Sequence, residues 1–406
     1  MKLVVSACLL GRSCRYDGGH KRSDEVCRLA ERIHRRGGVV LEVCPEEAAG
    51  LPVPRRPAER RGSRVLLDDG TDVTEAFHEG SERAMTEVAG IGGTPLAVLK
   101  AKSPSCGVGL IYDGSYTGAL TRGSGVFAER LEQEGACMST ESSVRICTPS
   151  VEHPVAIVLG TGLGHLAGLV KPVRRIAYRD IPGFPESARP VAGHSFEATV
   201  GTIDGVPVIV YPGRVHLYQG YSALEVSSLV THAHSLGCRV MLFACATGAI
   251  PQMAPIGLGM VSDQINLTGA NPLVPRTSED GWPVPMNAGF ADMTDIYSPY
   301  LRGLARGVAE EQGLALSEGV LAGVVGPNFE TPAEVNALRV LGVSYVGMST
   351  VCEAILAHSL GMQVLGLTLA ANYAGEVGVT HQSVLAAAQG SADGFEQLVR
   401  GVLALL

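Results

Sequence analysis

The sequence predicts two α/β domains in tandem, and three observations predict them. Short β-branched runs alternate with helical patterns on both sides of residue 150. Between the two series, residues 130 to 153, "RLEQEGACMSTESSVRICTPSVEH", lose hydrophobic periodicity and collect Ser, Thr, Glu and Pro, as linkers do. Cysteine is also unevenly spread: Cys8, Cys14, Cys27, Cys44, Cys106, Cys137 and Cys147 precede residue 150, and Cys238, Cys245 and Cys352 follow it. At 406 residues the chain is long enough for two or three separate cores. The seam falls near residue 148, giving domains of 1–147 and 148–406.

In the first domain "LVVSAC", "GGVVLEVC" and "TPLAVLK" read as strands. Between the first two, Ser23 to Arg36 reads as a helix opened by a Ser cap and stopped at Gly37-Gly38. Such alternation predicts a parallel sheet. Cys8 and Cys44 end their strands, and Cys106 lies in the loop just after its own. Open α/β sheets place their functional crevice at the carboxyl ends of the strands, so these three thiols are expected to converge.

The second domain repeats the pattern with "VAIVLG", "RVMLFA", "VLAGVVG", "VSYVGM" and "QVLGLTLAAN". Within it "ATVGTIDGVPVIVY" reads as a hairpin about Asp204-Gly205. Thr331-Pro-Ala-Glu334 and Thr350-Val-Cys-Glu353 are capping boxes after strands, closed by Gly342 and Gly361.

Composition narrows the function. Hydrophobic residues at 46% and charged residues at 18% describe a chain that folds throughout. A net charge of −8 argues against nucleic acid as a partner, because such binding relies on a basic surface. "MKLVVSACLLGRSCR" has too short an apolar run for a signal peptide. Val240 to Ser262 carries no charge, but Gly248, Pro251, Pro255, Gly257 and Gly259 break it as a membrane helix. The expectation is a cytoplasmic protein with free thiols and no membrane or nucleic-acid partner.

Several features of the second domain point to an anion. "VLGTGLGHL" sets Thr161 among glycines directly after a strand. Glu186 stands near where a dinucleotide site would want an acid, but in a loop rather than at a strand end, which disfavours NAD. "YPGRVHLYQGY" presents Arg214, His216 and Tyr218 at alternate positions, which an extended backbone would aim to one side. Ser349 precedes a capped helix whose free amides attract anions. "FACATGA" ends a strand with small residues whose amides can approach a ligand closely. Taken singly, a tight turn, a solvated strand face or a helix cap accounts for each. Their joint occurrence favours phosphate.

The motifs "GTGLG", "GHSFEATVG", "YPGRVHLYQGY", "VGPNFETPAEVNALRVLG", "VGMSTVCEAILA" and "AANYAGEVGVTH", in that order across residues 154 to 404, resemble those of trimeric purine nucleoside phosphorylases. The resemblance implies a three-layer α/β domain, a homotrimer, and cleavage of purine nucleosides by inorganic phosphate to free base and ribose 1-phosphate. It places Thr161, Arg214, His216, the Ala246 amide and Ser349 on phosphate. Tyr218, Met348 and His381 fall on ribose, Phe329 against the purine, and Glu330 and Asn372 on its edge, with His216, Glu330 and Asn372 as catalytic residues. An ionised Glu330 favours 6-oxopurines. The chain departs from the pattern in having Thr161 where Ser is common, Ala371 where Thr is common, and Tyr373 in place of a polar or basic residue.

The thiols of the first domain leave three readings open on residues alone: zinc with a fourth ligand, an iron–sulfur cluster, or inert packing. "SACLLGRSCRYDGGHKR", "VCPEEAAGLPVPRRPAE" and "AKSPSCGVGLIYDGSYTGAL" together resemble the family once called only DUF523, some of whose members are thiouracil desulfidases. That resemblance implies Cys8, Cys44 and Cys106 as ligands of a [4Fe-4S] cluster with one iron open to the substrate's sulfur. It also makes Glu46 an acid/base and Ser103 a substrate-orienting residue. Cys14 is a substitute ligand to weigh, while Cys27 falls inside a helix and Cys137 and Cys147 lie at the seam. His232, His234 and Cys238 are explained by a helix ending at Gly237. The expected fold is two three-layer α/β domains, a small parallel-sheet domain followed by a purine nucleoside phosphorylase-like one. The expected protein is a bifunctional salvage enzyme acting on nucleosides, nucleobases and phosphate. The alternatives are a purine nucleoside or methylthioadenosine phosphorylase with a structural or regulatory first domain, and a nucleoside sensor.

Overall fold

Hydrophobic spacing sets the first series of elements. In the computed structural model, which describes residues 1–190, 195–274, 290–390 and 392–406, these are β1 (Lys2–Ser6), α1 (Asp24–Arg35), β2 (Val39–Val43), α2 (Pro45–Ala48), β3 (Ala58–Arg61), β4 (Arg64–Leu67), α3 (Thr74–Ile91), β5 (Leu96–Leu99), β6 (Leu110–Tyr112), β7 (Leu120–Arg122), α4 (Val126–Gln133), β8 (Cys137–Thr140) and α5 (Glu141–Cys147). Ser23 caps α1 by accepting the Val26 amide, and Val26, Leu29, Ala30 and Ile33 form its buried stripe. Four strands pair in the order β2-β1-β5-β8, every pair parallel. Val4, Ala97, Leu99, Phe127 and Leu131 form the core between this sheet and its helices.

Because β2 flanks β1 on one side and β5 on the other, the chain leaves β1 in opposite directions, which opens a crevice at the carboxyl ends. Cys8 lies in the short 3₁₀ turn Ala7–Leu10 just past β1, rather than on the strand itself. Cys44 follows β2 directly and precedes α2.

The second series comprises β9 (Val155–Val158), β10 (Lys171–Ala177), β11 (Glu197–Ile203), β12 (Val206–Tyr211), α6 (Ala223–Val226), α7 (Ser228–Ser235), β13 (Val240–Ala249), β14 (Gly257–Asn266), α8 (Pro299–Gln312), β15 (Ser317–Gly323), α9 (Pro332–Val340), β16 (Val343–Gly347), α10 (Val351–Ser359), β17 (Gln363–Tyr373), α11 (His381–Gly390) and α12 (Ala392–Leu403). Their sheet runs β10-β11-β12-β9-β13-β16-β15-β14-β17, and β17 also pairs with β13. Strands β13, β16, β15, β14 and β17 therefore close on themselves as a ring. The β11–β12 hairpin turns at Asp204 (φ 51°) and Gly205 (φ 86°), both in the left-handed region that a two-residue turn requires. Gly193 and His194 of the "GHSFEATVG" motif lie outside the described residues.

Residue contacts divide the chain into one unit of Met1–Thr148 with Arg306–Glu311 and Leu405–Leu406, and another of Pro149–Ala305 with Gln312–Ala404. No helix among the described residues is long and apolar enough to cross a membrane.

Candidate active sites

In the second unit, strand ends converge on a cavity of about 610 Å³. Its lining includes Thr161, Arg214, His216, Tyr218, Ala246, Phe329, Glu330, Met348, Ser349, Asn372 and His381. Thr161 follows β9, Ala246 lies in β13 and Ser349 joins β16 to α10, whereas Asn372 is the penultimate residue of β17 and His381 opens α11. Gly160 is needed here, because a Cβ on it would stand 2.8 Å from the Ala244 carbonyl oxygen of β13.

Arg214 is 1% exposed. Its Nη1 donates to Glu353 Oε2 at 2.7 Å and Thr350 Oγ1 at 3.3 Å, and its Nη2 to the carbonyls of Val158 at 3.2 Å and Ala244 at 2.7 Å. Glu353 Oε2 also accepts the Thr350 amide at 2.8 Å, so the capping box of α10 doubles as the anchor of a buried cation. Thr350 is held at φ 74°, a left-handed conformation that a threonine adopts only under constraint. The result is a guanidinium fixed at the cavity wall by its buried ion pair with Glu353.

The chain does not stay extended through "RVHLY". It bends after His216 into the 3₁₀ turn Leu217–Gln219, so Tyr218 reaches the cavity from a turn rather than from a strand face. Its ring stacks on His216 with centroids 4.8 Å apart. Gln219 Oε1 accepts the His216 amide at 2.9 Å and lies 3.3 Å from His216 Nδ1, which fixes the imidazole. Burial raises the Glu330 carboxyl above the ordinary glutamate range, with Glu334 adding to the effect and the residue's own amide opposing it. Asn372 Nδ2 donates to the Tyr373 carbonyl at 2.8 Å, and a second amide hydrogen and the Oδ1 oxygen remain to face a ligand.

In the first unit Cys8, Cys14, Cys44 and Cys106 line one cavity of about 570 Å³, with Glu46, Ser103 and Arg55. Glu46 accepts from Ser105 Oγ at 2.9 Å and from Arg55 Nε at 2.8 Å. Arg55 Nη2 also reaches the Cys14 carbonyl at 3.0 Å, so one guanidinium positions both the carboxylate and the cysteine loop. Ser103 Oγ accepts the amides of Ser105 and Cys106 at 3.2 and 3.1 Å, which makes it the brace of the Cys106 turn. Gly125 closes against that turn: a Cβ there would lie 2.3 Å from the Ser105 carbonyl carbon and 2.7 Å from the Cys106 nitrogen.

Cys14 touches the thiols of Cys44 and Cys8. The contact with Cys44 lowers its pKa, but the contact with Cys8 and burial outweigh that and push it up to about 11. Cys44 is raised by Cys14 and burial, and Cys106 by burial. A cluster of buried thiols of this kind suits a soft metal, which supplies the positive charge that thiolates need. Three cysteines at the ends of adjacent strands around a roomy cavity fit a cluster held by three protein thiolates. The six cysteines other than Cys8, Cys14, Cys44 and Cys106 are buried elsewhere. His232 on α7 contacts the Tyr211 hydroxyl at 2.8 Å through Nδ1, and burial lowers its pKa.

Sequence reasoning missed Glu353 as a partner of Arg214, as well as Gln219, Arg55 and Ser105. Gln219 and Ser105 had a local signal, since each lies within three residues of an expected site residue. Arg55 had none, and Glu353 was read only as the acidic member of the Thr350 capping box.

Residues 154–404 match the phosphorylase superfamily. The chain belongs to that superfamily. Residues 3–143 match the 2-thiouracil desulfurase family. The chain is 36% identical over 254 residues to "Purine nucleoside phosphorylase 1" of Bacillus subtilis, covering 62% of this chain and 91% of that protein. It is 38% identical over 259 residues to the purine nucleoside phosphorylase of Mycobacterium tuberculosis, covering 62% and 90%. Among solved structures, isoform 2 of the Schistosoma mansoni enzyme, in complex with cytosine and ribose-1-phosphate, superposes with a TM-score of 0.57 at 31% identity, over 65% of this chain and 94% of that one. The same organism's purine nucleoside phosphorylase in complex with adenosine gives a TM-score of 0.55 at 32% identity, over 63% and 91%. By sequence and fold, the second unit is a transferase of the purine nucleoside phosphorylase type.

Proposed function

We propose that this phosphorylase domain cleaves 6-oxopurine nucleosides with inorganic phosphate, and that the 2-thiouracil desulfurase-like domain removes sulfur from thiolated nucleobases or nucleosides. The observation that carries the first part is the convergence of eleven residues, from strand ends, loops and a helix start, on one cavity. Thr161, Arg214, His216, the Ala246 amide and Ser349 hold phosphate. Tyr218, Met348 and His381 hold the ribose, His381 at its 5′-hydroxyl. Phe329 packs on the base, and Glu330 accepts its N–H beside the 6-oxo group.

As the C1′–N9 bond breaks, its electron pair moves onto the purine, and the sugar becomes cationic. The bound phosphate faces that cation and forms the new C1′–O bond. Asn372 donates to the ring nitrogen that gathers the negative charge. A preplaced donor of this kind contributes roughly 3 to 4 kcal/mol to the transition state. Phosphate-dependent release of hypoxanthine from inosine tests the reading. Asn372→Ala is expected to lower kcat by about 10² to 10³, and cleavage that proceeds equally well without phosphate would refute it.

In the first unit Cys8, Cys44 and Cys106 are the residues that would hold a [4Fe-4S] cluster. When bound, it supplies an iron with a coordination place for a soft sulfur. Glu46, held by Arg55 and Ser105, moves the proton of the incoming water, and Ser103 supports the Cys106 turn beside the substrate. The net change is thiocarbonyl plus water to carbonyl plus hydrogen sulfide. Sulfide release from 4-thiouracil, 6-thioguanine and their nucleosides by anaerobic protein tests it. No release from any of them by iron-loaded protein would refute it. A homotrimer in the cytoplasm completes the reading, with the solution mass as its check.

A further inference from the structure

The first unit holds a second set of metal-ligating atoms, which shares Cys44 with the proposed cluster and adds Cys14 and Glu47, neither of which the proposed reaction uses. Among the described residues Cys14, Cys44 and Glu47 place two thiol sulfurs and a carboxylate oxygen within 4.8 Å of one another. Cys44 immediately precedes α2 and Glu47 is that helix's third residue, so one turn brings them to the same side. The loop after the Ala7–Leu10 turn delivers Cys14, and Cys44 Sγ lies 3.8 Å from the Cys14 carbonyl oxygen. Cys14 is 2% exposed. Glu47 and Cys44 also line a neighbouring cavity of about 200 Å³, where Arg12 Nη2 stands 3.0 Å from Glu47 Oε2.

We propose that Cys14, Cys44 and Glu47 form a site for one soft divalent cation, with zinc the fitting ion, and that this ion competes with the iron–sulfur cluster for Cys44. A tetrahedral zinc, with bonds of about 2.3 Å to sulfur and about 2.1 Å to oxygen, spaces its ligand atoms roughly 3.6 to 3.8 Å apart. The observed spacing, within 4.8 Å, lies about 1 Å above that value. Two thiolates and one carboxylate around a doubly charged ion leave a net charge of −1, which the paired Arg12 balances. Binding releases two thiol protons to solvent and leaves the fourth position to water. Magnesium and calcium are disfavoured, because hard cations take oxygen ligands. Cys106 takes no part, which separates this ion from the cluster chemically. The ion site stands on its own geometry, whereas the competition rests on the cluster reading above.

The test uses the full-length protein, prepared without added iron, stripped with chelator and titrated with zinc chloride. The wild type is expected to hold about one zinc per chain in a shell of two sulfurs and two light atoms by X-ray absorption. Cys14→Ser and Glu47→Gln are expected to weaken binding on the order of tenfold or more, and Cys106→Ser to leave it unchanged. Circular dichroism confirms that each variant folds, and Glu47→Gln carries the test if Cys14→Ser does not. Anaerobic loading with iron and sulfide is then expected to expel zinc in proportion to the iron gained. Equal zinc loss in Cys106→Ser and Cys14→Ser, or a shell of four sulfurs, would overturn the site. Full zinc and full iron held together would overturn the competition. If no variant and no wild-type sample takes up iron, the cluster reading fails while the zinc titration still decides the ion site.

Discussion

The two cavities solve opposite electrostatic problems. In the phosphorylase unit the positive charge is already present and already fixed: Arg214 is pinned by Glu353, Thr350 and two backbone carbonyls before any ligand arrives. An anion entering there meets a charge that needs no reorganisation. In the thiol unit burial and neighbouring thiols raise the pKa values of Cys14, Cys44 and Cys106, and in the proposed function the cavity would gain its charge from a bound metal. The first site is preorganised by protein, and in the proposed function the second would be completed by a metal. Substitutions should therefore damage the first through stability and transition-state binding together, and the second through metal content.

The largest effect is expected from Glu353→Ala. It would strand a buried guanidinium, which typically costs about 3 to 5 kcal/mol. A large fall in the melting temperature of the phosphorylase unit, together with loss of phosphorolysis, is the expected outcome. A melting curve like that of the wild type would break the idea that Glu353 anchors the cation.

Next in size is Gly125→Ala, whose new Cβ meets the Ser105–Cys106 backbone at 2.3 to 2.7 Å. The Cys106 turn must shift, so iron retained after anaerobic loading should fall severalfold while phosphorolysis continues. Equal loss of both activities would show that the two sites are not separable in this way.

A smaller effect sharpens the phosphorylase side. In the proposed function Glu330 accepts from a 6-oxopurine best as a carboxylate, and burial raises its pKa. The acid limb of kcat/KM for inosine is then expected above the usual glutamate range, with activity lost as pH falls through that raised value. Glu330→Gln should remove this limb and lower kcat/KM. A limb unchanged in the variant would assign it to another group.

The smallest effect concerns His232. Its pKa is lowered in the fold by burial, so the folded state holds the neutral ring and the unfolded chain binds a proton first. Stability is therefore expected to decline as pH falls below about 6.5, and less so in His232→Gln. Melting temperatures across pH 5 to 8 would show it.

Much of this was legible from local pattern. Strand-end glycines, capping boxes and cysteines after β-branched runs are short-range signals, and in the first unit the parallel topology places the carboxyl ends of the strands on one side. What stayed hidden depends on distant pairs. Nothing near Arg214 points to Glu353, 139 positions on, nor anything near Glu46 to Ser105, 59 positions on. The ring closed by β13 and β17 is likewise a long-range pairing that periodicity does not encode. Tyr218 misled for a local reason: an alternating Arg-His-Tyr reads as a strand, but Gln219 folds back on His216 and tightens the chain into a turn. Cys14 was overshadowed because its role depends on where its loop lands, against Cys44 and Glu47.

The contrast between a prebuilt charge and a metal-completed one is tested most directly by anaerobic iron and sulfide analysis. Wild type, Cys106→Ser and Asn372→Ala would be compared, each also assayed for inosine phosphorolysis. The account predicts about four irons per chain in the wild type and in Asn372→Ala, with iron lost from Cys106→Ser. It also predicts phosphorolysis intact in Cys106→Ser and impaired in Asn372→Ala. Iron absent from the wild type under these conditions, or bound equally well without Cys106, would contradict it.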